Sequence, residues 1–337
     1  MNTPSILTTV VGSYPVPDWL VALPSQQSLA DATRVVFKTQ EMAGIDVVAD
    51  GELYRFDVNH PDTNGMIEYF IRPMSGIRSQ ITRSDIAEFA KQEGMGFRAE
   101  PAGVVEGPID EGTLNLPRDY RRARALTDHT MKFTLTGPHM LCKTLMDHHY
   151  KSKPELAMAI GRALAKQVAE IDPDVIQVDE ANITGHADEA DWAADSINLI
   201  LDACTKAKKK GVHICFGNYG GQSIQKGTWT QLIGFMNRLH CDHVVLEFAF
   251  RGYDELTHFK ELLDPRIGLG LGVIDIKVNT VESPEEVARR IEQASKIMGP
   301  GRVQWVHPDC GFWMNKRSIA DRKMVSLVKG RDLFLGR

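Results

Sequence analysis

Eight short apolar, β-branched runs recur along this chain, and stretches with helical periodicity follow most of them. They are Thr8–Val11, Asp46–Ala49, Met131–Leu135, Asp174–Val178, Val212–Cys215, His243–Leu246, Ile267–Ile274 and Val303–Val306. Nearly continuous apolar strands suit a parallel sheet covered on both faces. Eight strands alternating with helices favour a (β/α)8 TIM barrel of the α/β class over an open sheet. The intervening segments support this. Pro154–Asp172 opens on a proline and places Leu156, Ile160, Leu164 and Val168 at four-residue spacing. Ala194–Lys210 reads as a second helix, with Lys208, Lys209 and Lys210 completing its last turn before Gly211. Ser283-Pro284-Glu285-Glu286 reads as an N-cap, a proline at the first helical position and an acidic first turn, with an end near Gly299.

A chain of 337 residues could hold two domains at roughly 100–200 residues each. Single α/β barrels nevertheless reach about 250 residues and grow by insertion. Residues 53–130 are too long for one strand-to-helix loop and contain a further strand candidate at Gly103–Glu106. The expectation is one catalytic barrel over 1–337, with 53–130 as a subdomain inserted after strand two at the barrel mouth.

Charge and cysteine content exclude several function classes. The net charge is −5 and no long Lys/Arg block marks a nucleic-acid footprint. No apolar run reaches the ~20 residues a membrane helix needs, and Met1–Val10 is too short and polar for a secretory leader. Five cysteines, an odd number in a long chain, point to reduced thiols and a cytoplasmic protein. The oligomeric state is left open; a homo-oligomer is compatible.

Polar residues of chemical interest follow the strands at their C-terminal ends. Gly12-Ser13 follows the first, Gly51-Glu52 the second, Thr136-Gly137-Pro138 the third and Asp179-Glu180 the fourth. His213 and Cys215 end the fifth, Glu247 the sixth, Asp275 follows the seventh, and Asp309-Cys310 the eighth. In a barrel these ends converge on one face, where active sites lie. His213 and Cys215 are two apart on a strand and point the same way. With Glu247 and Cys310 they form an N/S/O/S set suited to zinc, whereas thiolates disfavour magnesium and calcium. The competing reading makes His213 and Cys215 ordinary core residues, but a carboxylate at Glu247 between Val-Val-Leu and Phe-Ala-Phe demands a partner. A zinc with anionic ligands is a modest Lewis acid that still holds a thiol as thiolate, which argues for alkyl transfer to sulfur.

The motifs VVGSYP (Val10–Pro15), DGE (Asp50–Glu52), TGP (Thr136–Pro138), QVDEA (Gln177–Ala181), HIC (His213–Cys215), the buried-type Glu247, GVID (Gly272–Asp275) and HPDCG (His307–Gly311) occur in this order. In them the chain resembles the catalytic C-terminal barrel of cobalamin-independent methionine synthases, as a single-barrel, core-type member. The resemblance implies a zinc barrel with His213, Cys215, Glu247 and Cys310 as ligands. It implies that Gly12 and Ser13 hold the carboxylate of an amino-acid thiol and that Glu52 and Asp179 hold its ammonium group. Glu180 beside Asp179 is a further substrate-binding candidate or an N-cap. The family's histidine after GVID is Lys277 here, so the proton-donor role falls to Lys277, with Asp275 beside it, or to His60 in the segment Asp57–Phe70, unless His60 is an exposed loop residue. The expected reaction is zinc-dependent methyl transfer from a methylated folate or corrinoid to the sulfur of homocysteine, forming methionine. Alkylation of another thiol, as in the similar epoxyalkane:coenzyme M transferases, is the alternative. Its sulfonate would call on Lys277, Arg55 or Arg251. A closed, non-catalytic zinc site is the third.

Overall fold

The computed structural model describes residues 6–56, 64–91, 98–218 and 223–337. In these residues the chain forms eleven strands: β1 (Leu7–Thr8), β2 (Val48–Ala49), β3 (Ser75–Arg78), β4 (Gly103–Asp110), β5 (Met131–Thr136), β6 (Leu145–Asp147), β7 (Val175–Glu180), β8 (Lys209–Ile214), β9 (His243–Leu246), β10 (Gly268–Ile274) and β11 (Val303–Pro308). Eight of them make one parallel sheet in the order β1-β11-β10-β9-β8-β7-β5-β2. Its two outer members also meet each other. Thr9 pairs with Val47 and Ser13 with Gly51, both in parallel, and the Val47 N–H donates to the Thr8 carbonyl at 3.1 Å. The sheet is therefore curled, in the manner of a TIM barrel, and all eight strand candidates lie in it.

The first two strands are short because side chains replace the neighbour's ladder. Asp46 accepts the Thr8 N–H at 2.7 Å. Gln40, on the helix Gln26–Ala43, accepts from the Ala49 N–H at 2.9 Å and donates to its carbonyl at 2.7 Å. The backbone polar groups are satisfied without a regular ladder.

Helices cover the convex face, and the main hydrophobic core lies between the two layers. The helix Lys153–Val168 starts at the Ser152 N-cap, and Pro284–Met298 runs from the Ser283 N-cap to Gly299. The third expected helix is displaced. It spans Ala190–Ala203, and Lys209 and Lys210 open β8 rather than closing a helix. The lysines answer carboxylates at the starts of the adjacent strands: Lys208 pairs with Asp174 at 2.6 Å and Lys209 with Asp242 at 3.2 Å.

Between β2 and β5 lie the helices Glu68–Ile71, Arg83–Phe89 and Leu116–Arg124 and the antiparallel pair β3–β4. The expected strand at Gly103–Glu106 is the first half of β4. This small sheet takes its third strand, β6, from beyond residue 130, parallel to β4. Phe89, Val104 and Met146 make its own core with Ile81. Among the described residues no helix is long and apolar enough to cross a membrane, and all five cysteines are free.

Candidate active site

The concave face of the sheet is polar near the C-terminal ends of its strands. His213 near the end of β8, Cys215 just beyond it and Cys310 just after β11 bring one nitrogen and two sulfurs within 4.8 Å of one another. The His213 Nδ1 lies 2.9 Å from the Val245 carbonyl, which requires the proton on that nitrogen. The buried Nε2 has no partner. A lone pair is thus aimed at two thiols, and an outer-sphere carbonyl fixes the ring, as in metal-ligating histidines. Without a metal the three groups share protons unequally. The hydrogen bond from Cys215 holds Cys310 well below the usual thiol range, while the same contact and burial push Cys215 up. Burial is the strongest single influence on His213 and disfavours its charge, but the nearby Cys310 sulfur, the Asp179 carboxylate and the Val245 carbonyl together outweigh it and raise its pKa. Orphan nitrogen, thiolate and thiol together form a soft, three-donor metal site.

Glu247 follows β9 and is fully buried, yet its carboxylate stands outside that three-atom cluster. Its Oε2 pairs with Lys277 Nζ at 3.2 Å, with side chains only 0 % and 2 % exposed, and its Oε1 has no partner. Lys277 also lies 4.4 Å from the centre of the Phe250 ring. Burial raises the pKa of Glu247, and Lys277 opposes the rise. Asp275 closes the turn that presents Lys277: its Oδ1 accepts the Lys277 N–H at 2.8 Å. His60 lies outside the described residues.

A functional role for Asp309 was not legible in the sequence, although the residue stands beside Cys310. Its Oδ1 accepts the N–H groups of Phe248 and Ala249, both at 2.9 Å, and its Oδ2 that of Phe250 at 2.7 Å. One carboxylate thus holds the chain leaving Glu247 against the Cys310 loop. Gly272 makes room for it, since a β-carbon there would lie 2.1 Å from Asp309 Oδ1. Burial, with the Glu247 charge added, pushes Asp309 up to about 7 against those three donors. Asp309→Asn places an amide donor against backbone donors, so at least one buried N–H loses its acceptor. The expected cost is about 1–3 kcal/mol of stability, measured by denaturant unfolding, with weaker metal binding in a chelator competition.

Gly12, Ser13, Glu52 and Asp179 are brought together beside the sulfurs. A β-carbon on Gly12 would lie 2.2 Å from Glu52 Oε1, and one on Gly311, next to Cys310, 2.0 Å from Ser13 Oγ. Glu52 occupies the left-handed region at φ 60°, an uncommon conformation for a side-chain-bearing residue and one found at functional sites. Asp50 Oδ1 secures that turn by accepting the Glu52 N–H at 2.8 Å. Glu52 accepts from Thr134 Oγ1 at 2.7 Å and pairs with Arg55 at 3.2 Å. The buried Arg55 guanidinium lies 5.0–5.7 Å from the ring centres of Tyr54, Tyr69 and Phe70. Asp179, buried next to His213 across β7 and β8, accepts from Gln177 at 2.7 Å. Burial raises its pKa to about 7, with Glu52 adding to the rise and His213 opposing it. Burial raises Asp50 to about 6 against Arg55. Glu52, Asp50 and Asp179 face Arg55 and, from below, the buried Lys132, so three carboxylates outnumber two cations in this cradle.

Glu180 is placed differently. Its oxygens take the N–H groups of Met140, Asn182 and Ile183 and face His139 at 3.1 Å. It clamps two loops together and has no oxygen turned toward the cradle through a free bond. Arg55, Asp309 and Gln177 are the site residues whose roles only the fold reveals.

The comparisons with known proteins agree with this geometry. The family described as "Cobalamin-independent synthase, Catalytic domain" matches residues 6–330. Two relatives called methionine synthase align nearly end to end. That of Sulfurisphaera tokodaii is 28% identical, over 98% of this chain and 93% of the relative. That of Thermococcus kodakarensis is 29% identical, over 99% and 94%. Among solved structures, a B12-independent methionine synthase from a Shewanella species in complex with selenomethionine superposes with a TM-score of 0.80 at 23% identity, over 98% of both chains. A putative vitamin-B12 independent methionine synthase from Listeria monocytogenes gives 0.70 at 17%, over 99% of both. The match across nearly the whole chain places this protein in the family of cobalamin-independent synthase catalytic domains.

Proposed function

We propose that the protein transfers a methyl group from a methylated folate or corrinoid to the sulfur of homocysteine, forming methionine, at a zinc ion. The observation that carries this reading is the juxtaposition of a soft three-donor cluster, His213, Cys215 and Cys310, with an anionic cradle at Glu52 and Asp179. The names of the relatives point to the same reaction. The orphaned His213 Nε2 and the two sulfurs suit zinc rather than a hard cation. Glu247, with its unpartnered Oε1, supplies the fourth donor. A zinc ion held by these residues would supply the positive charge that keeps an incoming thiol in its thiolate form near neutral pH.

The chain's own residues do the rest. Glu52 and Asp179 take the ammonium group, and the Gly12–Ser13 segment takes the carboxylate of the same zwitterion. Lys277 compensates the charge of Glu247, and the turn at Asp275 sets its position. Lys277, with Asp275 beside it, and His60 remain the candidates for the proton donor. The curled sheet is read as a closed (β/α)8 barrel over 1–337, with 53–130 as a subdomain inserted at its mouth. The free thiols suit a cytoplasmic setting.

The alternative thiol with a sulfonate needs a free cation at the site. Arg55 is engaged by Glu52 and Thr134 and Lys277 by Glu247, whereas Arg251 donates to the Gly227 carbonyl and lies 3.6 Å from the centre of the Phe216 ring but leaves its Nε without an acceptor. The acidic pair Glu52 and Asp179, which suits an ammonium group, favours homocysteine. Zinc-edge absorption on the metal-loaded protein with homocysteine, coenzyme M and glutathione tests this. Homocysteine is expected to add a sulfur to the coordination sphere at concentrations where the other two do not. An unchanged spectrum with homocysteine removes the reading.

A further inference from the structure

Lys132 is a fully buried cation to which the reaction above gives no task. It lies on β5, on the concave face, below the acidic cradle. Its ammonium group donates to the Val10 carbonyl and, at 2.8 Å, to Gln177 Oε1 on β7. Because the amide oxygen faces a cation, the amide nitrogen must face the other way. There Nε2 donates to the Val11 carbonyl at 2.9 Å and to Asp179 Oδ1 at 2.7 Å. Both amide hydrogens and the oxygen are used, so Gln177 has one orientation.

The three acceptors outside the Lys132–Gln177 pair divide into two groups. Val10 and Val11 lead directly into Gly12 and Ser13, which hold the carboxylate end of the amino acid in the reading above. Asp179 holds the ammonium end. We propose that the buried Lys132–Gln177 pair is a positioning strut that fixes the two halves of the amino-acid cradle at the spacing of an α-amino acid, and so sets specificity for a thiol bearing both groups. The strut has a directional logic. The Lys132 donor on one side and the Val11 and Asp179 acceptors on the other hold the amide so that it presents a hydrogen to Asp179 Oδ1, leaving Oδ2 of that carboxylate for the ligand. Burial without a full counter-charge is costly for an ammonium group and brings its pKa down to about 7. A merely structural position is more readily filled by an apolar side chain of that length. This proposal rests on the homocysteine reading.

The test compares homocysteine with ethanethiol, which has neither charged end, by calorimetry on metal-loaded protein. The variants are Lys132→Met and Gln177→Glu. The second keeps a partner for the buried lysine but removes the donor to Asp179 and Val11, and the thermal midpoint and metal content of each variant report whether the fold is retained. Both variants are expected to weaken homocysteine by about 10- to 100-fold, the range for hydrogen bonds to charged groups. Ethanethiol affinity and metal content should stay within about twofold, as expected where the metal ligands are untouched. Equal weakening of both thiols, or unchanged homocysteine binding in Gln177→Glu, overturns the strut alone. A wild-type protein that binds homocysteine no more tightly than ethanethiol overturns the amino-acid reading and the strut with it.

Discussion

Cys310→Ser is expected to strip the metal from the protein while leaving its circular dichroism unchanged. Cys310 is the thiol that the Cys215 hydrogen bond and the His213 imidazole already hold toward the thiolate form, so it is the strongest anionic donor in the cluster. A serine hydroxyl stays protonated near neutral pH and offers a hard oxygen to a soft site. Losses of outer-sphere partners weaken metal binding by about 10–100-fold; loss of this ligand should exceed that range. The fold should survive because Cys310 lies at a loop after β11 and is only packed against the edge of the main core. Metal content by elemental analysis, against the far-ultraviolet spectrum and the thermal midpoint, decides the matter. Retained metal, or a collapse of the fold, contradicts the assignment.

Lys277→Met is expected to destabilise the metal-free protein by about 3–5 kcal/mol, the cost of leaving a buried carboxylate without its partner. Both members of the Lys277–Glu247 pair are out of solvent, so screening gives no relief. The loss should be smaller when metal is bound, because the ion supplies positive charge beside Glu247. Lys277→Met with Glu247→Gln should recover most of the stability in a double-mutant cycle, since no uncompensated charge remains. Denaturant unfolding of the four proteins, with and without zinc, measures each term. A role for Lys277 as proton donor alone predicts lost turnover with unaltered stability in every form.

Part of this site is legible in the order of residues alone. The pairs at strand ends stand out because a parallel α/β sheet places the C-terminal ends of its strands on one side. His213 and Cys215 share a face through the two-residue repeat of a strand, Glu52 and Cys310 follow strands at the same end, and Asp179 lies within β7 near its C-terminal end. Local pattern misleads where a side chain answers a partner far away in sequence. Lys208–Lys210 resemble a helix end because lysines favour that position, but Asp174 and Asp242 draw them into strand β8. Glu180 reads in sequence as a substrate-binding candidate or an N-cap; its side chain accepts the N–H groups of Asn182 and Ile183 as a cap does, and Met140 and His139 take up the remainder. The small sheet takes β6 from outside 53–130, which no local pattern announces.

What the sequence by itself determined is the parallel α/β architecture, the family and the choice of His213, Cys215 and Cys310 as residues that meet at one point, because these depend on periodicity and on short motifs. What only the tertiary structure decided is how charge is compensated there. Lys277 against Glu247, Arg55 against Glu52, Asp309 across three backbone donors, and Lys132 with Gln177 beneath Asp179 are all contacts between separate strands or loops. Burial makes each obligatory, since an unpaired charge away from water is too costly to keep. Sequence shows that a buried charge needs a partner; the curl of the sheet chooses which one.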